Sequence, residues 1–230
     1  MAWWGSEVLK RLLLEGDETV LDAGCGSGRV TERLLERLPE GRVIAADASP
    51  SMLVEARRRL ARFGDRVTFV ECDLGRPLPI GEPVDAVFST ATFHWVPDHD
   101  ALFANLAAVL RPGGALVAQC GGAGNIASVR RVVAELGETW PGPWTFATPE
   151  ETVARMEPAG FVDVEAWVHE EPTFIEPGEP IETFLATVIL QAHVERLPEA
   201  ERAGFVRRVA DRLPTSQIDY VRLNLVARRA

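Results

Sequence analysis

Hydrophobic and polar positions alternate along this chain in two rhythms. Short apolar runs of strand length end repeatedly on a single polar or acidic residue, and helical periods separate them. Val20-Leu21-Asp22-Ala23 reads as a short buried strand, and Arg29 to Leu38 follow a helical period closed by Pro39 and Gly41. Arg42 to Ala46 form a second strand closing on Asp47. Ser49 and Pro50 then supply the N-cap and first residue of a helix reaching Phe63. Arg66 to Glu71, Val84 to Phe88 and Ala115 to Cys120 give three more strands, with a helix over 98–110 stopped by Pro112-Gly113-Gly114. Strands alternating with helices at this spacing predict right-handed βαβ units in a doubly wound, mostly parallel sheet.

Both ends of the chain read differently from this core. Residues 3–14, with Trp3, Trp4, Val8, Leu9, Leu12 and Leu13, have helical spacing. Beyond Cys120, residues 121–147 predict one helix between irregular loops, and Thr148-Pro149-Glu150-Glu151 caps another reaching Ala159. Phe161 to Val168 predict a sixth strand. Two helices over 181–196 and 198–213 precede Tyr220 to Ala227, a last strand whose alternation suits a sheet edge. The expected fold is therefore α/β, a Rossmann-like doubly wound sheet of seven strands. The last strand is antiparallel, and a helical cap is inserted between the last two. The expectation is one domain over 1–230, with its core at 17–120 and cap segments at 121–147 and 175–216.

In such sheets ligands lie outside the C-terminal ends of the strands. Asp22, Asp47, Asp73 and Ser89-Thr90 all fall at those ends. The first strand runs straight into Gly24, Gly26 and Gly28, a turn that lets a ligand approach backbone closely beside a helix N-terminus. A dinucleotide fingerprint needs its third glycine where Arg29 stands. That substitution, together with the lack of a hydride-transfer set, argues against a nicotinamide enzyme. Asp47, about twenty positions after the glycines, is placed to accept both hydroxyls of a ribose.

Composition narrows the partners. The chain is 47 % hydrophobic, enough for a sizeable core, and carries 24 basic against 34 acidic residues for a net charge of −10. This is no footprint for a nucleic-acid backbone. Cys25, Cys72 and Cys120 sit in apolar settings with no metal-site spacing, which predicts a reducing compartment, no disulfide framework and no metal. Met1 to Lys10 lack the apolar run of a signal peptide, and no run is long enough to span a membrane. A cytoplasmic protein, monomeric or homodimeric and without a membrane partner, is expected.

The D-x-G-x-G-x-G turn at 22–28, Asp47, Glu-Cys-Asp-Leu at 71–74, Val-Asp-Ala-Val-Phe-Ser-Thr-Ala-Thr-Phe-His-Trp-Val at 84–96 and Leu-Arg-Pro-Gly-Gly-Ala-Leu at 110–116 follow one another in order. Together they resemble class I S-adenosylmethionine-dependent methyltransferases over roughly half the chain. Phe-His-Trp-Val-Pro-Asp-His at 93–99 and the closing Val-Ala-Arg-Arg are similar to the trans-aconitate methyltransferase branch, and more distantly to the malonyl-carrier-protein branch. Both branches methylate a free carboxylate.

The resemblance implies S-adenosylmethionine as cofactor and its demethylated product, S-adenosylhomocysteine. It implies a cofactor site of Asp22, Ala23, Gly24, Cys25, Gly26, Asp47, Ala48, Met52, Cys72, Asp73, Leu74, Ser89 and Thr90. Asp22 is placed near the methionine part, Asp73 at the adenine amino group, and Met52 and Leu74 on either side of the adenine. The implied reaction is direct displacement onto a small-molecule acceptor, with His94 as the candidate base or orienting donor. A carboxylate acceptor is the favoured reading. A phenol or amine acceptor, or a cofactor-binding protein without catalysis, are the alternatives. Arg130, Arg131 or Arg222 would meet a carboxylate, and Trp140, Trp144, Phe146 and Tyr220 would wall its pocket. The chain departs from the branch at Thr90, commonly asparagine there, and at His94, commonly glutamine. Only about fifteen residues precede the first strand, so the family's N-terminal arm over the cofactor is expected to be absent or truncated.

Overall fold

A computed structural model describes residues 7–230. Trp3 and Trp4 lie outside the described residues. Residues 7–9 are helical, and Val8, Leu9 and Leu12 pack into the core beside Leu34, Leu35 and Leu38.

The strands and helices then alternate as β1 (Thr19–Ala23), α1 (Arg29–Glu36), β2 (Arg42–Asp47), α2 (Pro50–Leu60), β3 (Val67–Glu71), β4 (Val84–Thr90), α3 (His99–Val109) and β5 (Leu110–Gly121). Side-chain caps fix where the helices start. Ser49 Oγ accepts the Met52 N–H at 3.4 Å, and Asp98 Oδ1 accepts the Ala101 N–H at 2.9 Å. The helix after Pro50 ends at Leu60 rather than Phe63, because the chain tightens into a 3₁₀ stretch, Ala61–Arg66, that turns at Gly64.

The second half contains α4 (Ala127–Glu135), α5 (Pro149–Met156), β6 (Phe161–Glu170), β7 (Thr173–Phe174), α6 (Glu179–Phe184), α7 (Gln191–Glu195), α8 (Glu199–Arg212), β8 (Gln217–Ile218) and β9 (Val221–Arg229). Thr148 and Glu151 close a reciprocal capping box on α5. The single helix expected over 181–196 is broken. Leu185–Ile189 form a π-helical turn, with the Leu190 N–H bonded to the Leu185 carbonyl at 2.6 Å.

The main sheet has seven strands in the order β3-β2-β1-β4-β5-β9-β6, and β7 pairs with β8 in a separate ribbon. β3, β2, β1, β4 and β5 run parallel, and β9 is antiparallel to both of its neighbours. The last strand is therefore not an edge. It lies between β5 and β6. Its period-2 polarity comes from buried Arg222 and Asn224, not from a solvated face. Asn224 is fully buried: its Oδ1 accepts from Gln119 Nε2 at 2.9 Å and from Arg11 Nη1 at 2.5 Å, and its Nδ2 donates to His169 Nδ1 at 2.9 Å. Those bonds allow an amide to sit in mid-sheet without a desolvation penalty.

Leu21, Val87, Leu116 and Leu225 face one side of the sheet. There Phe103 meets Phe93 and Phe161 edge-on, at 6.1 and 6.5 Å between centroids. Val20, Phe88 and Val117 face the other side under α1 and α2. A third cluster, including Ile126, Val129, Leu185, Ile189, Phe205 and Tyr220, joins α4 to α6, α8 and the π turn above the C-terminal strand ends.

Candidate active site

The turn after β1 is held from below. The Gly24 and Cys25 N–H groups both donate to the Ala46 carbonyl, at 2.8 and 2.9 Å. Gly24 (φ 87°) lies directly under Thr92, whose hydroxyl donates to the Gly24 and Thr90 carbonyls, and a Cβ on Gly24 would collide with that side chain. Asp47 closes the turn, its two oxygens accepting the Gly26 and Ser49 N–H groups at 2.8 Å each. A carboxylate has about four lone-pair directions. Each Asp47 oxygen therefore keeps one acceptor direction beyond its backbone bond.

These residues border a cleft of about 560 Å³. Gly24, Asp47, Ala48, Met52, Cys72, Asp73, Leu74 and Thr90 all face it, as the sequence placed them, and Thr92, Ser49 and Gln191 join them. Asp73 accepts the Gly75 N–H through Oδ1 at 2.8 Å and is largely exposed. Asp22, Ala23, Cys25 and Ser89 do not border the cleft. They stand behind it, with Ser89 Oγ donating to the Ala23 carbonyl at 2.6 Å. Gly26 acts on the cleft through Asp47.

Asp22 stands behind the cleft. It is buried and accepts the Thr31 hydroxyl at 2.6 Å, and burial pushes its pKa up to about 7. A raised carboxyl pKa contributes stability below the unfolded value of about 3.9 and loses it as pH rises through about 7. Asp22→Asn keeps an acceptor for Thr31 without the buried charge. Its unligated form is expected to melt close to the parent at pH 4 and at least ~3 °C above it at pH 8. A melting difference that does not grow with pH would contradict this.

A second cavity of about 220 Å³ adjoins the cleft and shares Thr90, Ala91 and Trp95 with it. His94, Trp144, Phe146, Tyr220 and Arg222 border it as expected, and Gln119 and Asn125 were missed. Two residues at its rim hold left-handed backbone, Ala91 (φ 57°) and the β-branched Ile126 (φ 50°). Such strain, of order 1–3 kcal/mol each, gathers at functional sites. Arg130 and Trp140 do not reach this cavity. They border a separate one of about 160 Å³, while Arg131 faces outward to Glu135, 3.8 Å away.

The surroundings of His94 favour the neutral ring. The Gly121 N–H donates to its Nδ1 at 3.1 Å, so the neutral ring carries its proton on Nε2. Burial first, and then the Arg222 charge, lower its pKa to about 3. What remains is a neutral N–H donor. Arg222 is itself buried, with Nε donating to Glu171 at 3.0 Å and its guanidinium 4.3 Å over the Tyr220 ring. Burial pushes the Tyr220 phenol up to about 12, so it stays protonated at neutral pH.

The sheet order, the antiparallel β9 and the glycine turn beneath an acidic β2 end are the arrangement of the class I methyltransferase fold. A family model described as a methyltransferase domain matches residues 20–114. The chain is 33 % identical over 218 residues to the trans-aconitate 2-methyltransferase of Paracidovorax citrulli, covering 87 % of this chain and 79 % of that protein. It is 30 % identical over 215 residues to that of Methylobacterium radiotolerans, with the same two coverages. The chain thus belongs to the class I methyltransferases, in the trans-aconitate 2-methyltransferase branch. In fold it is similar to a Haemonchus contortus phosphoethanolamine N-methyltransferase 2 solved with S-adenosylhomocysteine. That match has a TM-score of 0.66 at 20 % identity and covers 99 % of this chain and 52 % of that one. No helix among the described residues is long and apolar enough to cross a membrane.

Proposed function

We propose that this chain binds S-adenosylmethionine in the larger cleft and methylates a carboxylate of a small acid held in the adjoining cavity. The observation that carries the reading is the polar lining of that cavity. It offers a buried arginine, a neutral His94 N–H and a protonated phenol, and burial disfavours the charged form of His94. A phenol or an ammonium needs to lose a proton before or during attack; a carboxylate does not.

The cleft suits the cofactor chemically. Asp47 keeps acceptor directions for two ribose hydroxyls, Met52 and Leu74 give apolar surface for a base, and the glycine turn leaves backbone open beside them. S-adenosylmethionine, when bound, would supply an electrophilic sulfonium methyl group there. The chain's own part is to bind, align and exclude water. Arg222 attracts the carboxylate, His94 Nε2–H orients it, and the aromatic wall of Trp95, Trp144 and Phe146 keeps the site dry. The segments 121–147 and 175–216 act as the cap, lending Asn125, Ile126, Phe146, Val188 and Ile189 to the cavity.

His94→Ala is expected to lower kcat ten- to a hundredfold with affinity for S-adenosylhomocysteine unchanged. His94→Gln, which restores an N–H donor, should recover most of the loss. With its ring titrating at about 3, the parent should show no His94 limb in kcat between pH 5 and 9. A limb near pH 6–7 that vanishes in His94→Gln would return the histidine to a base role.

A further inference from the structure

Trp144 borders two cavities at once. One is the acceptor cavity, and the other is the chamber of about 160 Å³ behind it. On the acceptor side its indole stacks on Phe146, with centroids 5.9 Å apart and planes 9° apart, and lies 6.1 Å from Trp95. On the far side it is 5.7 Å from the His193 ring, which in turn lies 4.7 Å from Trp140. The ring rests against Gly142 (φ 93°), where a Cβ would run into the indole. The sequence thus makes a seat for this side chain between the two spaces.

The rear chamber is mostly apolar. Val129, Val133, Pro141, Leu190 and Trp140 give it apolar wall, and Glu138 and Thr139 also border it. His193 spends its Nε2–H on the Trp140 carbonyl at 3.3 Å. Arg130, also on the wall, has its guanidinium 5.8 Å from the Phe146 ring. Each cavity exceeds the ~15 Å³ that one water needs, so each has room for several non-hydrogen atoms.

We infer that Trp144 is the partition that sets acceptor length, and that the chamber behind it takes an aliphatic extension of the acceptor once the indole is out of the way. This rests on the carboxylate reading only for the head group; the partition itself is a matter of shape. The enzyme as built accepts short acids, and removing the indole joins 220 Å³ to 160 Å³ of space.

The test measures binding of butanoate, octanoate and 1-octanol to the full chain saturated with S-adenosylhomocysteine, in the parent, Trp144→Ala and Trp144→Phe. In Trp144→Ala the octanoate-to-butanoate affinity ratio is expected to rise at least about tenfold, about 1.4 kcal/mol. That gain equals burial of roughly two further methylenes. Trp144→Phe keeps a ring on Phe146 and is expected to give a smaller rise, about threefold, which keeps the test alive should the alanine variant fail to fold. A gain for 1-octanol while neither acid binds any form would keep the partition and sink the carboxylate reading. No gain for either eight-carbon probe, with affinity for S-adenosylhomocysteine intact, would overturn the partition.

Discussion

Asp47→Ala is expected to abolish measurable binding of S-adenosylhomocysteine, a loss of at least a hundredfold in calorimetry, while the protein still folds. Two effects add. The variant removes the carboxylate proposed to accept two ribose hydroxyls, each hydrogen bond to a charged group being worth ~1.5–3 kcal/mol. It also releases the Gly26 and Ser49 N–H groups that Asp47 holds at 2.8 Å, so the glycine turn and the cap of α2 lose a shared anchor. Fold retention is expected because Asp47 ends its strand at the rim of the cleft, whereas the core under β2 is made by Val43, Ala45 and Ala46. Asp47→Asn can satisfy only one of the two N–H donors with its oxygen, and is expected to fall between parent and alanine. Unchanged affinity in Asp47→Ala would remove this residue from the cofactor site.

Arg222→Gln is expected to have the largest effect on the acceptor. The variant keeps hydrogen-bonding capacity but loses the charge, leaving the Glu171 carboxylate without its 3.0 Å partner at the edge of the cavity. An acid would then meet the uncompensated charge of Glu171 where the parent holds an arginine paired with it. KM for the acid should rise at least a hundredfold, with affinity for S-adenosylhomocysteine changed less than about twofold. The two readouts separate roles: loss of both would mean that the variant disturbs β9, whose Asn224 network shares this strand. A KM that does not move would place the carboxylate elsewhere.

Much of the half that carries the larger cleft was legible in the sequence, for a physical reason. Parallel strands covered on both faces read as apolar runs, and each ends where a polar residue can face the cleft; Asp47, Asp73 and Thr90 all lie there. Ser49 and Thr148 announced their helices because capping is a local interaction. The position of β9 was not legible, because a buried polar network and a solvated face produce the same alternation. Arg222 and Asn224 are polar yet buried, and only partners as distant as Arg11 and Gln119 account for the amide.

Most of the acceptor side was decided by contacts far apart in the chain. The backbone N–H of Gly121 settles the His94 tautomer, and no spacing rule reaches that far. Arg130, on α4, and Trp140 looked equivalent to Arg222 and Trp144 in composition, but both border the cavity on the other side of the indole. Thr92, which covers Gly24, was within reach of sequence reasoning. It stands two residues past Thr90, just beyond the end of β4, where a side chain returns over the glycine turn.

The most direct measurement is transfer of labelled methyl from S-adenosylmethionine to a panel of small acids that includes trans-aconitate, followed by treatment of the product with mild base. The expected result is transfer to an acid with label released by base, the signature of a carboxyl ester. Label that survives base, or transfer only to phenols or amines, would contradict the carboxylate as acceptor.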